Sequence, residues 1–238
     1  MSIVIPTILT TTKQDVLEKL KRVEGLVDTV QIDVVDGRFA GPPTWPYTES
    51  GGVLPPGRDG WLREYGDFRY EIDLMVENPE ETAGYWIAAG ATRIVIHIES
   101  THYLPRLMDE LSEKYGYAKG FTPTLLSFGL ALSIATDTNA LTPFLDRVDY
   151  IQFMGIKTIG KQGQPFDERV LSKLRSFHKA HPEVVTQIDG GVTLTSAPAL
   201  LSTGIDHLVV GHDLWEASDI SGRIAQYERL SEEHGRYA

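Results

Sequence analysis

Cysteine is absent from the 238-residue sequence. Its absence excludes a disulfide scaffold, thiolate-ligated zinc or iron–sulfur centres, and a cysteine nucleophile. Basic residues are also in deficit, since 22 Lys and Arg stand against 33 Asp and Glu and leave a formal net charge of −11. A chain of this charge repels nucleic acid and anionic membrane surfaces. We therefore expect no nucleic-acid partner, and a phosphorylated ligand would need a local binding site.

Long apolar runs are missing as well. The first six residues carry no basic side chain, and the longest apolar-leaning stretch, residues 125–135, contains two Ser and one Gly. These features predict neither an export signal nor a membrane span, which makes the cytoplasm the expected compartment. The content of 42% apolar and 23% charged residues is typical of a soluble globular chain.

Short runs rich in β-branched residues recur along the chain, and stretches of helical periodicity lie between them. Expected strands cover residues 3–8, 29–33, 70–75, 92–97, 129–133, 150–154, 185–188 and 207–210. Expected helices cover residues 14–23, 79–89, 103–115, 168–180 and 197–202, the third of them capped by Ser100 and Thr101. Such an alternation predicts a parallel α/β sheet.

Eight strands with crossover helices predict a single (β/α)8 barrel domain over residues 1–238. A doubly wound open sheet is the structural alternative. It would normally carry a glycine-rich turn after the first strand, and residues 6–9, Pro-Thr-Ile-Leu, are not one.

Two segments interrupt the alternation and are predicted to be insertions. Residues 38–60 are dense in Pro, Gly, Trp and Tyr and follow the second strand, on the face where barrel active sites lie. A partly ordered lid and a plain surface loop are equally compatible with that composition. Residues 116–128 lengthen the connection before the fifth strand and carry no recognisable chemistry.

The carboxyl ends of the expected strands are rich in acidic residues. In a barrel these ends meet around one pocket, and they contribute Asp33, Asp36, Asp73, His97, Glu99 and Asp189. Several carboxylates around one cavity repel one another unless a metal ion, a shared proton or a positive group compensates. The pattern therefore predicts acid–base chemistry or a bound cation.

These residues also have purely structural interpretations. An Asp at a strand end often caps a turn, although Asp33 and Asp189 each lie in an apolar strand and precede a glycine turn. His97 on an apolar strand is more often a core histidine than a ligand. Met75 and Met154, at strand ends, more often pack than take part in chemistry.

Glycines after the last two strands suggest a phosphate site. Gly190 and Gly191 follow the seventh strand, and Gly211 with His212 follows the eighth. Barrels commonly bind phosphate at these two turns through backbone N–H groups.

The loop after the sixth strand, residues 155–164, could fold over such a phosphate. It contains Gly160 and Gly163 and two basic residues, Lys157 and Lys161. A solvated surface loop would have the same composition.

Taken in their order and spacing, these motifs resemble the ribulose-phosphate 3-epimerase family over nearly the whole chain. The matching segments are residues 6–9, 32–37 (Ile-Asp-Val-Val-Asp-Gly), 73–80 (Asp-Leu-Met-Val-Glu-Asn-Pro-Glu), 188–192 (Ile-Asp-Gly-Gly-Val) and 209–211 (Val-Val-Gly). The resemblance implies a TIM barrel of the ribulose-phosphate-binding type. It implies an isomerase that interconverts D-ribulose 5-phosphate and D-xylulose 5-phosphate, or a related ketose phosphate, through an enediolate. Asp33 and Asp189 would be its acid–base pair.

The residues expected to contact the sugar phosphate are Thr7, Met75, Met154, Gly160, Gly163, Gly190, Gly191, Gly211 and His212. Thr7 and His212 each stand where the family has Ser, and Val35 stands where it has a pocket Met. The Asn-Pro-Gly of the family's strand-six loop is absent.

The expected metal ligands differ most from the family pattern. Two histidines and two aspartates hold a divalent metal in the family, and Gln31 and Asp73 stand at the two histidine positions here. The resulting set, Gln31, Asp33, Asp73 and Asp189, offers oxygen ligands. It favours Mg²⁺, Mn²⁺ or Ca²⁺ over Zn²⁺.

Two other functions stay open at this stage. The loss of both histidines is compatible with a non-catalytic sugar-phosphate-binding relative, although such a protein gains nothing from two buried carboxylates. An enolate-type aldolase or decarboxylase of the orotidylate type would use a lysine in an Asp-x-Lys-x-x-Asp run, which residues 73–78 lack. The sequence is also compatible with a homo-oligomer.

Overall fold

The computed structural model describes residues 2–51, 59–116, 118–119 and 126–235. Its eight parallel strands close into a barrel in chain order, with the first strand paired to the eighth. The strands are β1 (Val4–Ile8), β2 (Thr29–Val35), β3 (Arg69–Met75), β4 (Arg93–His97), β5 (Ser127–Leu132), β6 (Tyr150–Met154), β7 (Val185–Asp189) and β8 (His207–Val210). The predicted (β/α)8 barrel is confirmed.

Helices surround this barrel. They are α1 (Lys13–Val23), α2 (Pro79–Ala89), α3 (Leu104–Tyr115), α4 (Arg169–Ala180), α5 (Ala197–Leu201), α6 (His212–Trp215) and α7 (Ile220–His234), with 3-10 helices at Trp61–Tyr65 and Thr138–Phe144. Helix α7 was not among the helices predicted from the sequence. Its N-cap is Asp219, whose carboxylate accepts the Gly222 N–H at 2.9 Å, and the helix packs against α5.

Most predicted element ends lie within one or two residues of the observed ones, but the predicted cap of α3 was wrong. The residue at the N-cap is Tyr103. Thr101 Oγ1 accepts the Tyr103 N–H at 3.1 Å, and Ser100 Oγ donates to the His97 carbonyl at 2.8 Å. Both hydroxyls therefore stabilise the turn between β4 and α3 and are not used on the first turn of the helix.

The main apolar core lies between the strands and the helices. Ile32, Leu74 and Phe153 are fully or almost fully buried in it, and the Phe153 ring packs edge-on against Phe177 of α4 with 5.2 Å between centroids. Burying each such side chain stabilises the fold by about 1.5–3 kcal/mol. This packing fixes the strand ends around the mouth of the barrel.

The inside of the barrel is rich in polar side chains, whereas barrels of this class are commonly filled by branched apolar residues. Val95, Ala131 and Tyr150 form a small apolar cluster apart from the main core. Gly129 leaves room for the Tyr150 ring, because a Cβ there would lie 2.4 Å from it. Buried polar residues on the strands are Thr7, Gln31, Asp33, Glu71, Asp73, His97, Ser127, Gln152, Thr186, Gln187 and Asp189.

Residues 38–51 of the first predicted insertion fold back onto the barrel rim. Thr44 Oγ1 donates to the Asp33 carbonyl at 2.9 Å, and Trp45 packs against Trp61 and Trp86 at 5.7 Å between each pair of centroids. The segment is thus anchored beside the mouth. Residues 52–58 of this insertion, and residues 117 and 120–125 of the second, lie outside the described residues.

Each helix in the described ranges is too short or too polar to span a lipid bilayer.

Candidate active site

Carboxyl groups from three strands meet inside the carboxyl-end mouth of the barrel. Asp33 on β2 is in register with Asp73 on β3, and Asp189 is the last residue of β7. One carboxylate oxygen from each residue lies within 4.8 Å of the other two. The structure therefore brings together the three aspartates that the sequence singled out.

Asp33 is held by two side chains, Thr7 from the neighbouring strand β1 and Gln31 from its own strand β2. Thr7 Oγ1 donates to Asp33 Oδ1 at 2.6 Å, and Gln31 Nε2 donates to the same oxygen at 2.8 Å. Gln31 is fully buried, and its Oε1 has no hydrogen-bond partner among the described residues. In this orientation the Gln31 amide nitrogen stabilises the Asp33 carboxylate, and the Gln31 carbonyl oxygen accepts no hydrogen bond from the described residues.

Asp73 is fully buried and has polar neighbours on both carboxylate oxygens. Gln152 Nε2 donates to Oδ2 at 3.0 Å, and His97 Nε2 lies 3.1 Å from Oδ1. The sequence pattern favoured a core role for His97, and Gln152 was not among the predicted site residues. The available signal for Gln152 was a polar residue in the middle of an apolar strand, two residues before Met154.

His97 also links the triad to the rim. Its Nδ1 lies 4.0 Å from Glu99 Oε2, and the Phe39 ring packs over the imidazole at 5.5 Å between centroids. Phe39 belongs to residues 38–51 of the first insertion, so His97 joins this segment to Asp73, one of the three aspartates.

Burial and mutual repulsion raise the pKa values of Asp33 and Asp189 in this group of three aspartates. Burial, followed by the charge of Asp73, raises the pKa of Asp33 to about 7. Burial, together with Asp33 and Asp73, raises the pKa of Asp189 well above its ordinary range. Burial by itself would lower the pKa of His97, but the Asp73 carboxylate outweighs it and raises that pKa. The cluster is therefore able to keep a proton near neutral pH.

The raised pKa values predict an unusual pH dependence of stability in the metal-free protein. The folded state keeps protons on Asp33 and Asp189 that the unfolded chain releases above about pH 4, so the free energy of unfolding should fall as pH rises from about 4 to about 7. His97 acts in the same direction, because its raised pKa stabilises the fold below about pH 6.5 and the contribution is lost at higher pH.

Urea unfolding in the presence of a chelator measures this effect. We expect the free energy of unfolding to fall by about 1.4 kcal/mol per pH unit for each carboxyl group that keeps its proton only in the folded state, and we expect a flatter profile in Asp33→Asn. A free energy of unfolding that rises over the same interval would contradict the prediction.

A cavity of about 170 Å³ opens onto Asp33 and Asp189. The predicted substrate-contacting residues that line it are Thr7, Met75, Met154, Gly160, Gly163, Gly190, Gly191, Gly211 and His212. Gln31 and Asp73 lie behind this lining, fully buried. Lys161 belongs to the lining, whereas Lys157 is exposed and lies outside it. A larger groove of about 780 Å³ lies outside the mouth and contains none of the three aspartates.

The connection between β6 and α4, residues 155–168, packs directly on the glycine turns. A Cβ on Gly211 would lie 2.7 Å from Gln162 Nε2, and a Cβ on Gly191 would lie 2.6 Å from the Cα of Phe166. Gly191 also has a φ of +70°, which a residue with a side chain rarely adopts. The loop can approach the two turns this closely because both positions are glycine.

The donor set fits a hard divalent cation. The three aspartates supply carboxylate oxygens within 4.8 Å of one another, whereas Gln31 turns its nitrogen toward Asp33 and leaves its Oε1 without a hydrogen-bond partner among the described residues. His97 Nε2 is already used by Asp73. An oxygen-only set of this kind suits Mg²⁺, Mn²⁺ or Ca²⁺.

Comparisons with known proteins identify the family and the fold of this chain. The model of the ribulose-phosphate 3 epimerase family matches residues 3–215. The ribulose-phosphate 3-epimerase of Bacillus subtilis is 26% identical over 229 residues, covering 94% of this chain and 96% of the relative. The ribulose-phosphate 3-epimerase of Aquifex aeolicus is 26% identical over 212 residues, covering 87% of this chain and 86% of the relative.

In fold, the chain is similar to 3-hexulose-6-phosphate synthase from Salmonella typhimurium, with a TM-score of 0.68 and 13% identity, covering 98% of this chain and 100% of that one. The chain belongs to the ribulose-phosphate 3-epimerase family.

Proposed function

We propose that this protein is a sugar-phosphate 3-epimerase that interconverts D-ribulose 5-phosphate and D-xylulose 5-phosphate, or a closely related ketose phosphate. The observation that carries the proposal is the pair Asp33 and Asp189. The two carboxyl groups come from β2 and β7, line one cavity, and have pKa values raised from the ordinary range of aspartate. The epimerases among the chain's relatives support the same reaction class.

The chemistry follows from the stereochemistry of inversion. Moving the C3 proton from one face of a ketose to the other requires an acid–base group on each face, with a pKa near the working pH. The ionised carboxylate removes the proton and leaves a planar enediolate. The protonated carboxyl on the opposite face then delivers its own proton to C3. Thr7 and Gln31 hold Oδ1 of Asp33, which leaves Oδ2 for the proton.

Negative charge develops on the enediolate oxygens and requires stabilisation. A divalent cation held by Gln31, Asp33, Asp73 and Asp189 would supply that stabilisation when bound. Lys161, which lines the cavity, is a second source of positive charge within the chain itself. Lys157 is outside the lining and is not assigned this role.

The phosphate of the substrate would lie at the glycine turns. Gly190, Gly191, Gly211 and His212 line the same cavity as the acid–base pair, and their backbone N–H groups would bind the phosphate. The close packing of Gln162 over Gly211 would shield the phosphate from solvent. This arrangement gives a chain of strongly negative charge a local anion site.

Proton exchange at C3 tests the proposal. The protein is incubated with D-ribulose 5-phosphate in D2O, with a chelator or with Mg²⁺, Mn²⁺ or Ca²⁺, and deuterium at C3 is followed by NMR together with xylulose 5-phosphate formation. Coupled exchange and epimerisation support the proposal. Sugar-phosphate binding without exchange under every metal condition would replace it with the non-catalytic interpretation. Carbon–carbon bond cleavage would replace it with an aldolase or decarboxylase.

The phosphate site gives a separate prediction. Titration with inorganic phosphate should shift the backbone amide resonances of Gly190, Gly191, Gly211 and His212, because these groups border the proposed site. The amides of Glu77 and Asn78 in the outer groove serve as a control and should not move. Unmoved resonances at all four glycine-turn positions would show that the phosphate lies elsewhere.

The oxygen-only donor set predicts which metals bind. We expect Mg²⁺, Mn²⁺ or Ca²⁺ to raise the melting temperature reversibly, and the rise should be larger at pH 8 than at pH 5, because the carboxyl groups must lose their protons to bind a cation. Differential scanning fluorimetry and elemental analysis measure this. A stoichiometric zinc that survives chelation would contradict the assignment.

A further inference from the structure

A continuous chain of hydrogen bonds crosses the interior of the barrel and ends on Asp73. Arg93 Nε donates to Glu71 Oε2 at 2.6 Å, and another Arg93 nitrogen donates to Gln187 Oε1 at 3.1 Å. Gln187 Nε2 donates to Glu71 Oε1 at 2.8 Å and to Gln152 Oε1 at 2.6 Å. Gln152 Nε2 then donates to Asp73 Oδ2 at 3.0 Å. The two glutamines, Glu71 and Asp73 are fully buried.

The direction of this chain is fixed at its Arg93 end. A guanidinium can only donate, so the atom of Gln187 that faces Arg93 must be its carbonyl oxygen. The amide nitrogen of Gln187 must then face Glu71 and Gln152, which in turn makes the facing atom of Gln152 an oxygen. The remaining atom of Gln152, its NH2 group, therefore points at Asp73. Each amide has one orientation in which all of its neighbours are satisfied.

This chain of hydrogen bonds gives Asp73 a different set of partners from Asp33. Asp73 has a fixed donor on Oδ2 and the ring of His97 beside Oδ1. Asp33 receives its side-chain hydrogen bonds within the described residues on Oδ1 alone. Asp33 also lines the cavity, whereas Asp73 lies behind it. The two carboxyl groups are therefore built for different tasks although they are neighbours in register.

We infer that Gln152, oriented by Gln187 and Arg93, is a positioning residue that keeps Asp73 turned as a hydrogen-bond acceptor behind Asp33 and Asp189. Asp73 is then held in one orientation behind Asp33 and Asp189, whose carboxyl groups line the cavity. The inference rests on the proposed function for its catalytic consequence. The orientation of the amides does not depend on that function.

The first measurement uses the apoprotein without substrate or added metal. Side-chain amide 15N–1H resonances of Gln152 are compared in the wild type and in Gln187→Met, which breaks the chain one link away and leaves the Arg93–Glu71 ion pair in place. Thr186→Val is the matched control, because Thr186 is a fully buried residue next to Gln187 that bonds instead to His178 at 2.7 Å. We expect the Gln152 signals to shift and broaden in Gln187→Met and to stay in place in Thr186→Val.

The second measurement is the kinetics of the folded variants. Gln152→Leu and Gln187→Met should lower kcat by about tenfold, the effect of losing one hydrogen bond to a charged group, and leave KM unchanged. Thr186→Val should change neither constant. A pair of glutamines with a merely structural role would lower stability without this separation of kcat from KM.

The outcomes separate the two proposals. Unchanged Gln152 signals in Gln187→Met would overturn the orienting chain even if the wild type epimerises its substrate. Full kcat in Gln152→Leu would overturn the positioning role. A wild type without C3 exchange would overturn the proposed function and the catalytic part of the inference, whereas the NMR result would still decide whether the chain orients Gln152.

Discussion

Asp33→Asn and Asp189→Asn should each abolish epimerisation but leave opposite halves of the exchange reaction intact. An amide cannot accept the C3 proton, and loss of a general base or acid typically lowers the rate by about 10²–10⁴-fold. Because the two groups line one cavity from β2 and β7, each variant keeps the carboxyl on one face of the sugar. Asp33→Asn should therefore still exchange the C3 proton of one epimer with solvent deuterium. Asp189→Asn should still exchange the C3 proton of the other epimer.

Single-epimer exchange in D2O measures this asymmetry, with each variant supplied with ribulose 5-phosphate and xylulose 5-phosphate in turn. Phosphate binding at the glycine turns provides the control and should be retained in both variants. Full epimerisation by either variant would remove that residue from the mechanism.

Arg93→Met should destabilise the protein by about 3–5 kcal/mol, the cost of leaving a buried charge without its partner. Arg93 bonds to Glu71 at 2.6 Å, and the Glu71 side chain is fully buried. The guanidinium also lies 4.0 Å from the centroid of the Tyr150 ring. Urea unfolding at neutral pH measures the change.

Two controls separate charge burial from the loss of an arginine. Arg106→Met breaks an exposed ion pair of nearly the same length, 2.7 Å to Glu110, and should leave the free energy of unfolding almost unchanged. The double variant Glu71→Leu with Arg93→Met should recover much of the loss, because it removes both charges together. If Arg93→Met costs no more than Arg106→Met, Glu71 is compensated by some other group.

The architecture of this chain follows from local patterns in its sequence. Alternating short β-branched runs and helical periods place all eight strands, because burial on both faces of a parallel strand selects apolar side chains over most consecutive positions. The details of the connections do not follow in this way. Ser100 and Thr101 look like helix caps in the sequence, but their hydroxyl groups stabilise the preceding turn. Their partners depend on how the chain leaves β4.

The sequence by itself determined the residues that surround the cavity, because the carboxyl ends of barrel strands meet at one face and the glycine turns after β7 and β8 lie beside them. Asp33, Asp73 and Asp189 could be identified as strand-end carboxylates from that rule, whereas the oxygen-only donor set that includes Gln31 was implied by the resemblance to the family. Only the tertiary structure decided that His97 and Gln152 contact Asp73, that Gln187 links Gln152 to Arg93, and that Gln31 supports Asp33 through its nitrogen. Most of these contacts join residues on different strands of the barrel. Their distances depend on the relative register of strands far apart in the chain, which no local pattern specifies.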